Sequence, residues 1–279
     1  MRSKIARFFM YVFLTIVSFV SVFPLLWMII ASTNKSVDVT KGTLLPGTYF
    51  MENLRAVLNS NLGYVNSFKN SFIIAVVTTI LAMLVSSAAG YAFGVYKSKF
   101  KNITFTVILL SMMVPFAALM VPLFRLFSKF NSIPVLNLVA LNTSGSVVII
   151  AIATAFLIFF FRQNTATFPK DLIEASRLDG LSEYGIFFRI YMPSMKSTYA
   201  AAIVVTFMSS WNNYLWPLIA LQSEEKRTLP LIISAMGSSY TPDYGMMMTA
   251  IVISTIPTAL IFFLMQKQFV AGMTGSVKG

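Results

Sequence analysis

Six stretches of this chain contain no charged side chain: residues 8–34, 70–96, 102–124, 130–161, 197–223 and 244–266. Each is at least 23 residues long, and a helix that crosses a bilayer needs about 20 apolar residues. The backbone inside lipid must satisfy its own hydrogen bonds, so a continuous apolar run of that length predicts a helix. Spanning β-strands would alternate apolar and polar residues, and these runs do not. The expected fold is therefore an all-α membrane protein of a single domain, 1–279, with spans near 8–31, 70–96, 103–125, 145–162, 197–221 and 246–266. Charged residues make up 11% of the chain, against about 25% in an ordinary soluble domain.

The first run follows Arg2, Lys4 and Arg7, the arrangement of a signal peptide. Its apolar stretch is about twice as long as a signal peptide's, and no small-residue cleavage site precedes Asn34, so it reads as a retained helix. An even number of spans puts both termini on one side. If that side is the cytoplasm, 13 of the 21 basic residues lie inside, including Lys97, Lys99 and Lys101 of the first inner loop. That sign is the one expected of a multi-pass membrane protein with cytoplasmic termini. The net charge of +12 then serves topology and contact with anionic lipid rather than nucleic acid. The chain has no cysteine and no histidine, which removes disulfides, imidazole bases and the commonest metal ligand.

Between the fourth and fifth spans lies a charged loop, 163–196. It must sit at the membrane surface, yet it carries helix signals of its own. Thr167 is a candidate cap, Pro169 and Asp171 suit a first turn, and Lys170–Leu178 puts Leu172, Ala175 and Leu178 on one stripe. Gly180 supplies a left-handed stop, Ser182 and Glu183 start a second short helix, and Pro193 ends it. A charged loop with ordered helices reads as a docking surface for another protein.

Its core reads Glu174-Ala175-Ser176-Arg177-Leu178-Asp179-Gly180, followed after nine residues by Ile190-Tyr191-Met192-Pro193. This spacing resembles the EAA loop of ATP-binding-cassette (ABC) importer permeases, with Ser176 in place of the second Ala and Met192 in place of Leu. Two further segments narrow the likeness. Trp211-Asn212-Asn213-Tyr214-Leu215-Trp216-Pro217-Leu218 resembles a segment of carbohydrate permeases. The ending from Gln266 to Gly279 is similar to that of the maltose-type second permease subunit, though one residue shorter after Thr274 and with Met273 for Leu. Phe50–Arg55 is similar to the family's first outer loop. In pattern the chain is closest to subunits for arabino-oligosaccharides, lactose or maltodextrins.

The resemblance implies a type I ABC importer permease that binds no cofactor itself, with ATP and Mg on its partners. Those partners would be a second, non-identical permease, two ATPase subunits and an extracytoplasmic sugar-binding protein, with sugar as substrate, all assembled in membrane lipid. The loop would be the coupling helix that docks on an ATPase through Glu174, Ala175, Ser176, Asp179 and Gly180, and the tail residues Lys278 and Gly279 would insert near the ATPase interface. The outer segment 222–243 would reach toward the binding protein.

Within the fifth apolar run, Asn212 and Asn213 are costly unless bonded or wetted, and Trp211, Tyr214 and Trp216 offer flat faces of the kind sugars stack on. They line a solute pathway on one reading and pack helix against helix on the other. Gly90 and Gly94 permit close helix contact, and Pro115, Pro122 and Pro257 mark kinks. No phosphate-binding Gly-rich loop ending in Lys-Ser/Thr is present, so the chain is not the ATPase. Two other readings stand beside the sugar importer. One is an importer of a non-sugar solute. The other is a polytopic transferase holding a metal on Asp171, Glu174, Asp179 and Glu183.

Overall fold

The computed structural model describes residues 4–96 and 98–274, and of 269–274 the backbone alone. Among these residues the structure is helical without strands. In chain order the helices are α1 (Lys4–Ser32), α2 (Ser36–Thr40), α3 (Phe50–Asn59), α4 (Tyr64–Val95), α5 (Lys99–Ser111), α6 (Phe116–Phe130), α7 (Ser144–Ile149) and α8 (Ala155–Thr165). They continue with α9 (Lys170–Leu178), α10 (Glu183–Ile186), α11 (Met192–Ser194), α12 (Lys196–Trp211), α13 (Leu215–Ala220), α14 (Leu229–Gly237) and α15 (Tyr244–Thr274). The segment 228–242, too short to span, folds around α14.

Three of these helices, α1, α4 and α15, are long and apolar enough to cross a membrane. The other three expected spans do not form as continuous helices. The run 103–125 becomes α5 and α6, bent by 103°. Pro115 stands at the break, in extended backbone at φ −61°, ψ 131°, because proline has no N–H to give the helix and forces the preceding residue out of helical space. The run 145–162 divides into α7 and α8, where the Thr154 hydroxyl takes over the cap by accepting from Leu157 N at 3.3 Å. The run 197–221 divides into α12 and α13 at residues 212–214. There Asn212 Nδ2 donates to Met208 O at 2.9 Å, and Pro217 in the first turn of α13 has no N–H to offer the preceding turn. Pro122 and Pro257 lie inside α6 and α15, and Pro24 inside α1.

The chain divides into two compact units. In the first, Met1–Val65 with Ile232–Ile256, the apolar stretch of α1 has none of its residues buried. A helix apolar all round and exposed all round is built for lipid or for another membrane chain. Its C-terminal end is held by polar contacts. Asn53 Nδ2 donates to both Ser32 O and Asn34 O at 2.9 Å, and Thr249 Oγ1 donates to Ser32 O at 3.1 Å. Gly245 sits so close to this knot that an added Cβ would lie 2.6 Å from Asn34 O.

The second unit, Asn66–Leu231 with Pro257–Gly279, carries both candidate site regions. Helices α4 and α8 cross at the two glycines expected to permit it. An added Cβ at Gly90 would meet Phe161 Cβ at 2.4 Å, and one at Gly94 would meet Thr165 Cγ2 at 2.5 Å. Ser86, one turn earlier, donates from Oγ to Ile152 O at 3.0 Å.

Candidate functional site

Helix α9 begins and ends where the charged loop was expected to fold, but its cap is different. Pro169 occupies the position before the first turn and gives no side-chain cap, while Thr167 Oγ1 donates backward to Asn164 O at 2.8 Å, closing the end of α8. The stop is as expected. Gly180 has φ +81°, its N–H donates to Arg177 O at 3.0 Å, and Leu181 N–H donates to Ser176 O at 3.1 Å. That pair of bonds is the Schellman closure of a helix. Ser182 then caps α10 by accepting from Gly185 N at 3.2 Å. Pro193 does not end the following segment. A turn of π-helix, Phe187–Tyr191, runs into α11, and the break falls at Met195, φ −96°, ψ 27°.

The faces of α9 divide cleanly. Ile173 and Ser176 turn inward, whereas Leu172, Glu174, Ala175, Leu178, Asp179 and Gly180 are exposed. Ile173 packs in an apolar cluster with Tyr91, Phe168, Ile186, Phe187, Tyr191 and Met195. Tyr191 is fully buried there, its ring 4.8 Å from that of Tyr91 and its hydroxyl 2.6 Å from Thr165 Oγ1. Ser176 is therefore misplaced by the sequence reading. It donates to Leu172 O at 2.6 Å from the buried side and does not belong to the outward face. The expected stripe of Leu172, Ala175 and Leu178 points away from this chain, with Leu178 89% exposed. Lys278 and Gly279 lie outside the described residues.

A polar clip that the loop's sequence does not announce holds α9 to its neighbours. Arg177 Nε donates to Glu183 Oε1 at 2.7 Å and Nη2 to Glu183 Oε2 at 3.3 Å, while the Tyr96 hydroxyl donates to Glu183 Oε2 at 2.5 Å. The Arg177 guanidinium, and then the Tyr96 hydroxyl, hold the Glu183 carboxyl below its ordinary range. An exposed pair of this kind contributes about 0.2–1 kcal/mol, so it sets orientation more than stability. Arg177 and Glu183 stand six apart across the glycine stop, a spacing that helix periodicity does not pair, and Tyr96 is 87 residues away from Glu183. Glu183 is thus committed, and among the described residues no three His, Cys, Asp or Glu side chains are placed to hold a metal. Asp171, Glu174, Asp179 and Glu183, on which the metal-dependent transferase reading rested, are not brought together.

The other candidate region divides as well. Trp211 is buried, its ring stacked on Phe207 at 5.8 Å and edge-on to Phe68 at 5.4 Å. Trp216 is fully buried between Phe116 and Phe127, and its Nε1 donates to Ser146 O at 2.9 Å. Both indoles are packing elements of this chain and present no free face to a solute. Asn212 and Tyr214 are exposed, and Asn213 is half-buried. Asn213 borders a cavity of about 90 Å³ that is also lined by Thr78, Thr154, Thr206, Ser209 and Ser210. The hydroxyls escaped the sequence reading because serine and threonine scattered over an apolar run look like ordinary helix residues.

Comparison with known proteins places this geometry. Residues 86–275 match the family described as binding-protein-dependent transport system inner membrane component. Over 278 residues, 100% of this chain and 98% of the relative, the chain is 45% identical to the lactose transport system permease protein LacG of Rhizobium radiobacter. It is 35% identical to the arabinooligosaccharides transport system permease protein AraQ of Bacillus subtilis (strain 168), covering 99% of this chain and 97% of that one. The sn-glycerol-3-phosphate transport system permease protein UgpE of Salmonella typhi is 33% identical, with 93% and 92% covered. The fold matches a chain from the crystal structure of a bacterial ABC transporter involved in the import of the acidic polysaccharide alginate, with a TM-score of 0.81 over 96% of this chain and 99% of that one, at 23% identity. Matched in sequence along its whole length and in fold along nearly all of it, the chain belongs to the inner-membrane permease components of binding-protein-dependent ABC transport systems.

Proposed function

We propose that this chain is the noncatalytic permease subunit of an ATP-driven importer of sugars or oligosaccharides. It works with a second, non-identical permease, two ATPase subunits that hold ATP and Mg, and an extracytoplasmic binding protein. The observation that carries the reading is α9, a helix anchored on one side by Ile173 and Ser176 and bare on the other at Leu172, Glu174, Ala175 and Leu178. A short helix with a rigid base and an exposed, partly apolar outer face fits a socket on a partner. Closure of the ATPase dimer would push α9, and the Arg177–Glu183–Tyr96 clip would carry that push into the end of α4. With α9 facing the ATPases, both termini are cytoplasmic and the outer segment 222–243 faces the binding protein.

The sugar class is favoured by the relatives named for lactose and arabinooligosaccharides. The relative named for sn-glycerol 3-phosphate supports a second reading, an importer of a non-sugar solute. The six uncharged runs count against it, since an anion crossing them finds no lysine or arginine. The test is Glu174→Lys in the assembled transporter. Glu174 is exposed here, so the chain should reach the membrane in normal amount while uptake falls. Loss of one partner from a charge pair buried at an interface costs about 2–5 kcal/mol. Uptake at the wild-type rate by that variant would refute docking through α9.

A further inference from the structure

Two threonines that line the cavity bordered by α4, α8 and α12 have buried hydroxyls with no hydrogen-bond partner among the described residues. Thr78 is fully buried and Thr206 is 6% exposed. Buried hydroxyls are nearly always bonded, and each exception points to something that completes it. The cavity lies where two of the expected spans are broken. Thr154 caps α8 after the gap following α7, and Asn213 sits in the gap between α12 and α13. Breaks of this kind bring polar groups to mid-membrane sites in other transporters.

We propose that this cavity is a hydroxyl-recognising subsite for an uncharged, polyhydroxylated solute, a specificity that rests on the importer reading above. The polar residues that line it are five that carry hydroxyls and one that carries a carboxamide, Thr78, Thr154, Thr206, Ser209, Ser210 and Asn213, and none of the described lining residues is ionisable. Each of those groups both donates and accepts, which matches sugar hydroxyls and gives a phosphate or carboxylate no counter-charge. Phe156 supplies an apolar wall, as a carbon face of a sugar ring requires. The cavity's volume of about 90 Å³ is small for a ligand site. Whole-ligand pockets are about 300–1,000 Å³. The subsite therefore grips part of one ring and leaves the remainder to the pathway beyond it.

The experiment uses the complete transporter with loaded binding protein in proteoliposomes, and replaces both hydroxyls as Thr78→Val with Thr206→Val. The lactose carried per ATP hydrolysed should fall about tenfold, the scale set by losing two ordinary hydrogen bonds. Removing unpaired hydroxyls from an inert or merely hydrated cavity would leave that ratio at the wild-type value and overturn the subsite. A second measurement does not depend on the double variant folding. Because the chain has no cysteine, Ser210→Cys gives a single thiol in this subunit. Its alkylation during turnover should slow about fivefold with lactose and not with sn-glycerol 3-phosphate, and equal rates with both overturn the proposal. A wild-type transporter that carries no carbohydrate overturns the importer reading and this subsite with it. Carbohydrate transport unaffected by the substitutions overturns the subsite alone.

Discussion

Substituting Gly180 separates the conformational role of the glycine stop from any contact with a partner. An added Cβ at this position meets nothing within 4 Å, so within the chain the penalty is purely that of the backbone at φ +81°. For an ordinary L-residue the left-handed conformation costs about 1–2 kcal/mol, which is a factor of about 5–30 in population. Asparagine tolerates it better, and a β-branched residue tolerates it least. Helix α9 has nine residues, below the roughly 12–15 at which an isolated helix holds itself together. Opening its Schellman closure also parts Arg177 from Glu183. The assay is hydrogen exchange at the Leu181 amide, which donates to Ser176 O, read beside solute carried per ATP in the assembled transporter. Both should rank Gly180 first, then Gly180→Asn, Gly180→Ala and Gly180→Val, with the alanine variant exchanging about 5–30 times faster than wild type. A clash with the partner would instead rank asparagine below alanine, because it is the larger side chain. That order, or wild-type exchange in the valine variant, would refute the backbone argument.

Three further outcomes follow from the packing. Gly90→Leu must force α4 and α8 apart at a point where even Cβ lies 2.4 Å from Phe161 Cβ. Overpacking of at least about 1–3 kcal/mol should lower the unfolding temperature of the detergent-solubilised protein, and an unchanged melt would contradict the crossing. Trp216→Phe removes the donor to Ser146 O and should destabilise by about 1–3 kcal/mol, visible in the same melt. The folded Glu183 carboxyl titrates below its unfolded value, so its contribution is present above the ordinary carboxylate range near about 4.3 and is lost as pH falls through the lower folded value. Exchange protection of α10 should therefore persist at about pH 5 and fall in stronger acid, a dependence that Glu183→Gln should abolish.

The parts of this molecule legible without coordinates are those governed by neighbours along the chain. Charge-free runs mark the apolar helices, Gly180 and Ser182 stop and restart the loop helices, and Gly90 with Gly94 marks a close crossing. Each rests on a rule that acts over one or two turns, and two substitutions within the 174–193 pattern left its intervals intact.

Only the tertiary structure decided which spans are broken and which side chains face inward. Nothing local to the sequence says that Ser176 and not Leu178 turns inward, that Trp216 bonds to Ser146 seventy residues earlier, or that Thr78 and Thr206 share one cavity. An apolar membrane helix lacks the polar face that orients a soluble one. In α4 and α15 the apolar side chains are spread evenly around the helix, with no side favoured over another. Rotation about the axis is then set by packing against other helices. The helices are written along the chain, and which of their faces are buried is decided where they meet.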